Sequence, residues 1–286
     1  MKMKNHRRFG GIPRHAGLPR KEYSHSMDWN FSAFRSPSLV DLHIHILPSL
    51  DDGAQSMRDS LAMADIAVRS GVRTMVVTPH ANQTGRFENY ATPRMQQVFE
   101  AFCREVRRAG LPLRVLPGME IYASRDVVER IRRHELCPLA GTDYYLVEFP
   151  FTCPASEIEW LLQRMLRHGY RPVIAHPERY HCIQQAPQQL ARWREMGCAA
   201  QLNRGSVQGQ FGSVCGETAR YLIDRDWVDL FGSDAHGVHR RTPEMASIRE
   251  YLTKHKGREA AQRLLVDNPI ALLRNQTLYS TTKTGS

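Results

Sequence analysis

A chain of 286 residues with 42% hydrophobic and 24% charged residues has the composition of a soluble globular protein, as one large α/β domain or two small ones. No apolar run approaches the roughly 20 residues of a membrane span, and the basic N-terminus lacks the hydrophobic stretch of a secretory signal. Six cysteines, at 103, 137, 153, 182, 198 and 215, stand without CxxC spacing. That argues against a disulfide framework or zinc ribbon and for reduced thiols in a cytoplasmic protein.

The formal net charge of +10 raises nucleic acid as a partner, but its distribution points elsewhere. Residues 1–27 carry Lys2, Lys4, Arg7, Arg8, Arg14, Arg20 and Lys21 against Glu22 alone, which is +6 (7 − 1) of the total. With Gly, Pro and Ser and no periodicity, residues 1–38 read as a basic, disordered extension. It is either a tether for anionic surfaces or sequence upstream of a true start at Met27. No specific nucleic-acid partner follows from it.

From residue 39 onward, short apolar strands alternate with amphipathic helices. The predicted strands are Leu39–His45, Arg73–Thr78, Leu113–Pro117, Tyr144–Phe149, Pro172–Ala175, Cys198–Leu202 and Trp227–Phe231. Helical patterns fall at about 56–70, 93–109, 125–134, 155–168, 186–196, 214–224 and 243–255. Ser56 precedes the first helix, and Gly71, Gly110, Gly169 and Gly197 follow helices, as start and stop signals require. Repeated β-then-α units with unbroken apolar strands predict a parallel sheet buried on both faces, as a closed barrel or an open doubly wound sheet. The domain is expected over 39–280, with 281–286 a disordered tail.

The polar residues favour the barrel. His43 and His45 end the first strand, and at i and i+2 their imidazoles share one strand face, about 7 Å apart by the strand rise. Asp51 and Asp52 follow in the next turn, His80 follows the second strand, Glu120 the third, and Glu148 sits near the end of the fourth. His176 ends the fifth, and Asp234 and His236 follow the last. In a (β/α) barrel such strand ends converge on one face. A merely structural origin would need the same coincidence on nearly every strand, so a divalent-metal site is expected.

These residues, in this order, resemble the PHP (polymerase and histidinol phosphatase) family, and within it the bacterial protein-tyrosine phosphatases of capsule and exopolysaccharide synthesis. The resemblance rests on DLHIHILPSLDDGA at 41–54, VVTPH at 76–80, LPGMEIY at 116–122, YYLVEFPF at 144–151, PVIAHPERY at 172–180, SDAH at 233–236 and LLRNQT at 272–277. It implies a distorted (β/α)7 TIM-like barrel with three divalent metal ions, Mn2+ first and Fe2+, Zn2+ or Mg2+ as alternatives. One ion would use His43, His45, Glu120 and Asp234; a second Glu120, Glu148 and His176; the third Asp52, His80 and His236. Arg179 and Arg241 match the family's phosphate-binding arginines, and Asp234 is a candidate proton acceptor. Asp51 reads as a turn or ligand-supporting residue. The extension before residue 39 departs from the family pattern.

The chemistry implied is in-line attack on a phosphate monoester by a hydroxide generated at the metals, with no phosphoenzyme. The arginines would donate to the non-bridging oxygens, or else serve as surface or ligand-orienting salt bridges. The expected substrate is phosphotyrosine on a protein, a membrane tyrosine autokinase by family resemblance; a homo-oligomer is compatible with it. The rival substrate is a small phosphate monoester such as histidinol phosphate or a nucleotide. Cys198-Ala-Ala-Gln-Leu-Asn-Arg204 also satisfies C-x5-R, the spacing of thiolate phosphatases, but it reads as a strand without the glycine-rich loop. Cys198 is expected buried beside Leu202, with Gln201 or Asn203 lining the mouth of the site. Trp160, Trp193 and Trp227 read as core or interface aromatics, and His181 and His239 as rim residues.

Overall fold

The structure is a computed structural model that describes residues 38–278; the expected extension at 1–38, apart from Ser38, and the tail at 281–286 lie outside the described residues. Strand β1 (Leu39–Ile44) is followed by helix α1 (Met57–Arg69), β2 (Val72–Val77), β3 (His80–Ala81) and α2 (Pro93–Arg108). Next come β4 (Arg114–Pro117), β5 (Glu120–Tyr122), α3 (Val127–Arg132), β6 (Tyr144–Glu148), α4 (Ala155–Arg167) and β7 (Arg171–Ala175). The chain continues through α5 (His181–Gln185), α6 (Gln188–Glu195), β8 (Ala199–Asn203), α7 (Arg204–Val207), α8 (Ser213–Asp224) and β9 (Leu230–Gly232). Helices α9 (Ala246–Lys256), α10 (Arg258–Gln262) and α11 (Asn268–Leu273) complete it, the last two joined by a π turn.

Every strand pairing is parallel, in the orders β1-β2-β4 and β3-β5-β6-β7-β8-β9. Two strands are broken and resume. Pro79, which has no amide to give a ladder, separates β2 from β3, and Gly118-Met119 separates β4 from β5. A side chain at Gly118 would lie 2.7 Å from Val76 Cγ1, so the break needs glycine. Across the remaining gap Asp234 N donates to His43 O (2.8 Å) and His45 N to Ala235 O (3.0 Å), which joins the segment after β9 to β1. The broken strands counted once, this is a distorted seven-stave (β/α) barrel.

The helices form where capping and periodicity agree. The Ser56 hydroxyl accepts from Asp59 N at the start of α1, and Thr92 accepts from Met95 N with Pro93 at the first position of α2. Ile158, Leu161, Leu162 and Met165 form the buried stripe of α4 against the sheet. Strand side chains alternate between two cores: Tyr144, Leu146, Val173 and Ala175 fill the barrel, while Tyr145, Val147 and Ile174 face the helices. Most predicted elements appear within a few residues of their places. The last strand forms at Leu230–Gly232 instead of 227–231, because the Asp229 carboxylate is held by Arg194 (2.7 and 2.8 Å) and Ala200 N (2.9 Å). The helices over 258–273 were not expected; Leu272 and Leu273 pack into the barrel core there.

Candidate metal centre

The site begins with a break in alternation. Val40 and Leu42 of β1 face the barrel core and Leu39 and Ile44 the outer layer, so the facing parity changes between 42 and 44, where the β1–β2 register is irregular. A bulge of this kind re-aims side chains. It leaves both His43 and His45 turned to the inside, fully buried, with their Nε2 atoms 3.2 Å apart.

The other ring nitrogens fix the tautomers. His43 Nδ1 lies 2.8 Å from Gln201 Oε1, and the Gln201 amide nitrogen is committed to Leu202 O and Asn203 Oδ1. Gln201 therefore accepts, and His43 Nδ1 carries the proton. His45 Nδ1 donates to Asp51 Oδ2 at 2.7 Å, and Asp51 also accepts from Gly53 N (3.0 Å) and His80 N (2.9 Å). Burial opposes ionisation of Asp51, yet His45 and these amides hold its carboxyl below the usual range. The two Nε2 atoms then face each other in the interior; burial opposes the imidazolium form of both rings, but the neighbouring Glu120, Asp234 and Asp51 charges raise their affinity for a proton, and a shared cation would take that proton's place.

Glu120 stands at the centre. Its Oε1 lies 3.2 Å from His43 Nε2 and 2.9 Å from His176 Nε2; its Oε2 lies 3.1 Å from His45 Nε2 and 2.9 Å from His80 Nδ1. Glu148 Oε1 is 3.6 Å from His176 Nε2, and Asp52 Oδ1 is 3.5 Å from His80 Nε2 and 3.3 Å from His236 Nε2. Asp234 Oδ1 is 3.5 Å from both His43 and His45. Donor atoms gather into four overlapping groups: His45, Asp52, His80 and His236; His43, His176 and Asp234; His43, His45 and Glu120; His80, Glu120 and Glu148. All nine side chains expected at the site converge. Grouping by proximity sets His176 with His43 and Asp234, and His80 with Glu120 and Glu148.

The electrostatics fit a cation. Burial, reinforced by the charges of Glu120 and Asp234, pushes the Glu148 carboxyl up to about 8, so a cation bound beside it would favour its ionised form. Burial also opposes ionisation of Glu120 and Asp234, but the histidines, and Arg241 for Asp234, hold both below the ordinary carboxylate range. His176 is pushed down to about 4 by burial, so its ring is neutral at pH 7 and able to ligate. Glu120 Oε2, His176 Nδ1 and His236 Nε2 are buried without a hydrogen-bond partner. Oxygen and imidazole donors in this mixture suit Mn2+, Fe2+ or Zn2+ better than Ca2+.

Arg179 and Arg241 stand at the same Asp234 oxygen, Nη1 at 3.6 Å and Nη2 at 2.5 Å. His176, Asp234 and Arg241 all have positive φ (33°, 48° and 48°), an unusual conformation for non-glycine residues that clusters at functional sites. Gln201 and Asn203 do not line a mouth: both are fully buried, Gln201 orienting His43 and Asn203 Nδ2 bonding Asp234 Oδ2. Their strand position, facing the barrel beside β9, was the available signal. Phe87, stacked on His80 at 5.1 Å, and Phe211, beneath the two arginines, were not singled out by sequence. Trp193 is core, Trp160 is exposed, and His181 and His239 are exposed outside the donor groups.

A (β/α) barrel that gathers histidines and carboxylates at the C-terminal ends of its strands defines a metal-dependent barrel hydrolase. Residues 39–274 match the family model described as capsular polysaccharide synthesis, CpsB/CapC, and the chain belongs to that family. It is 36% identical over 241 residues to tyrosine-protein phosphatase YwqE of Bacillus subtilis, covering 84% of this chain and 94% of that protein. To tyrosine-protein phosphatase CpsB of Streptococcus pneumoniae it is 32% identical over 248 residues, covering 84% and 100%. A solved structure described as YwqE and CpsB, metal-dependent tyrosine phosphatases, matches with a TM-score of 0.80 at 36% identity, covering 85% of this chain and 97% of that one. A phosphotriesterase homology protein from Escherichia coli, at 13% identity and TM-score 0.55 over 82% of this chain and 98% of its own, shares the fold.

Proposed function

We propose that this protein is a metal-dependent protein-tyrosine phosphatase that removes phosphate from a bacterial tyrosine autokinase of capsule or exopolysaccharide synthesis. The observation that carries the reading is the convergence of nine metal-competent side chains beside two arginines in a chain of this family. Three divalent ions, Mn2+ before Fe2+, Zn2+ or Mg2+, would be held by His43, His45, Glu120 and Asp234; by Glu120, Glu148 and His176; and by Asp52, His80 and His236. Glu120, with both oxygens among four histidines, suits the bridging role.

Such ions would supply a nucleophilic oxygen at neutral pH and neutralise the phosphoryl charge. The chain's own residues do the rest. Asp51 and Gln201 hold His45 and His43 in the ligating tautomer. Arg179 and Arg241 present planar donors to non-bridging oxygens. Asp234, between the arginines and the histidines, accepts a proton. The phenolate leaving group, of parent pKa about 10, departs without a dedicated acid. Work in the cytoplasm fits the six free cysteines. No helix among the described residues is long and apolar enough to cross a membrane.

The test is turnover of a phosphotyrosine peptide by metal-stripped protein, with Mn2+, Mg2+ or Zn2+ restored singly and histidinol phosphate run in parallel. Metal-restored turnover of the peptide above histidinol phosphate is expected. Preference for histidinol phosphate would move the protein to small-molecule substrates, and turnover without metal would sink the metal mechanism.

A further inference from the structure

Phe211 is a half-buried ring that, among the described residues, packs against neither core cluster. What it carries instead is charge. The Arg179 guanidinium lies over it at 4.6 Å and that of Arg241 at 5.5 Å, while Arg179 also lies over Phe151 at 4.3 Å. Phe151 in turn meets His176 edge-on, with ring centroids 6.0 Å apart. The arginines come from segments more than sixty residues apart in sequence, and one phenyl ring is common to both.

The turn that presents Phe211 is specifically built. Gly209 and Gly212 have φ of 75° and 93°, and Gly209 N and Gln210 N donate to Ser206 O and Gly205 O, each at 3.0 Å. The turn lies on Gly205, where a side-chain carbon would come within 2.4 Å of Gln210 Oε1 and 3.1 Å of Phe211 Cε2. Arg204 donates to Gln208 Oε1 (2.7 Å) and to Thr242 O (2.9 Å), tying the turn to the segment that carries Arg241.

We propose that Phe211 is a positioning residue that aligns Arg179 and Arg241 on one phosphoryl group. The idea rests on the phosphatase reading, in which these arginines receive the phosphate. Two guanidinium groups repel each other, and both reach for the same Asp234 oxygen. An aromatic face attracts each cation through its π surface and leaves the in-plane N–H edges pointing away from the ring. Those edges are the ones that fork onto an oxyanion. A ring shared by both arginines therefore brings their donors to one place and competes with Asp234 for them.

The experiment uses metal-loaded full-length protein, Phe211→Leu and Phe211→Trp, with kcat and KM on a phosphotyrosine peptide and the inhibition constant of inorganic phosphate. Leucine keeps the apolar bulk and discards the π face; tryptophan keeps both. Phe211→Leu is expected to raise KM and the phosphate inhibition constant together, by about five- to tenfold at one cation–π contact per arginine, with kcat changed much less. Phe211→Trp is expected to restore both. An unchanged phosphate constant in Phe211→Leu, a fall in kcat alone, or a tryptophan variant as impaired as the leucine one would overturn the proposal. An inactive wild type, or a phosphate constant indifferent to Arg179→Lys, would instead bring down the phosphatase reading or its arginine assignment, and the role of Phe211 with it.

Discussion

Two barrel strands carry residue patterns associated with phosphatase chemistry, and they fare very differently. On β8 and its flanks, Cys198 and Arg204 have thiolate-phosphatase spacing, but the intervening residues pair with β7 and β9, and the Ala200 and Asn203 amides are held by the Asp229 and Glu178 carboxylates. Burial pushes the Cys198 thiol up to about 12, and the Arg204 guanidinium is nearly buried and spent on Gln208 and Thr242. Neither the nucleophile nor the anion site exists there. On β1, His43 and His45 have a far weaker pattern by spacing, yet a bulge turns both inward and bound neighbours fix their tautomers. Spacing becomes chemistry when the backbone brings the atoms to one point in the right protonation state.

The largest effect should come from breaking the β1 side. His43→Ala removes a donor shared by two of the overlapping groups. Phosphotyrosine turnover should fall by more than the roughly 100-fold that losing even a supporting residue can cost a metal site. Steady-state assays across added Mn2+ check it; activity that recovers at high metal would mean His43 is dispensable to the chemistry.

Asp51→Asn sharpens the same side more gently. Asp51 accepts from His45 Nδ1 and two backbone amides, so the amide variant weakens the carboxylate–histidine pair without removing a proposed ligand. Metal affinity should drop by about 10- to 100-fold, read by competition with a chromogenic chelator. An unchanged affinity would place the tautomer control of His45 elsewhere.

Why one pattern was legible and the rest was not follows from the same contrast. The donors could be read because parallel strands of a barrel end on one face, so residue type plus position after each apolar run is enough. Hidden were features that depend on exact backbone path. The β1 bulge has no glycine or proline to announce it, and the positive φ of Arg241 falls on a residue type that does not advertise it. Gln201 and Asn203 read from sequence as mouth residues, because sequence cannot tell a strand residue under the site from one at its rim. The helices at 258–273 escaped because Gly257, Pro269 and a π turn break up their period.

Glu178 probes the scaffold that joins the two regions. Its buried carboxylate accepts from Asn203 N (2.9 Å) and Ser206 Oγ (2.6 Å), pinning the end of β8 to the turn that carries Arg179. Burial pushes it from 4.5 up to about 7, against the lowering effect of those hydrogen bonds. A carboxyl with a raised folded pKa holds its proton more tightly in the native state, so stability declines as pH rises from about 4.5 through 7. Glu178→Gln keeps the accepting oxygen and removes the titration. Relative to wild type it should gain on the order of 2–3 kcal/mol between pH 5 and pH 8, measured by urea unfolding at both. Parallel pH profiles for the two proteins would show that Glu178 ionises freely.

The smallest effect is expected on the C-x5-R side. With its pKa near 12, roughly one Cys198 thiol in 10,000 is ionised at pH 8, and at 5% exposure that thiol has almost no path to reagent. Native protein treated with iodoacetamide should keep Cys198 unmodified until it is unfolded, as peptide mass spectrometry would reveal. Cys198→Ser should leave metal-dependent turnover within about twofold, since an un-ionised buried thiol offers no nucleophile to lose. Rapid alkylation of the folded protein, with activity falling in step, would mean that β8 opens to expose Cys198 and that the two strands are not so different after all.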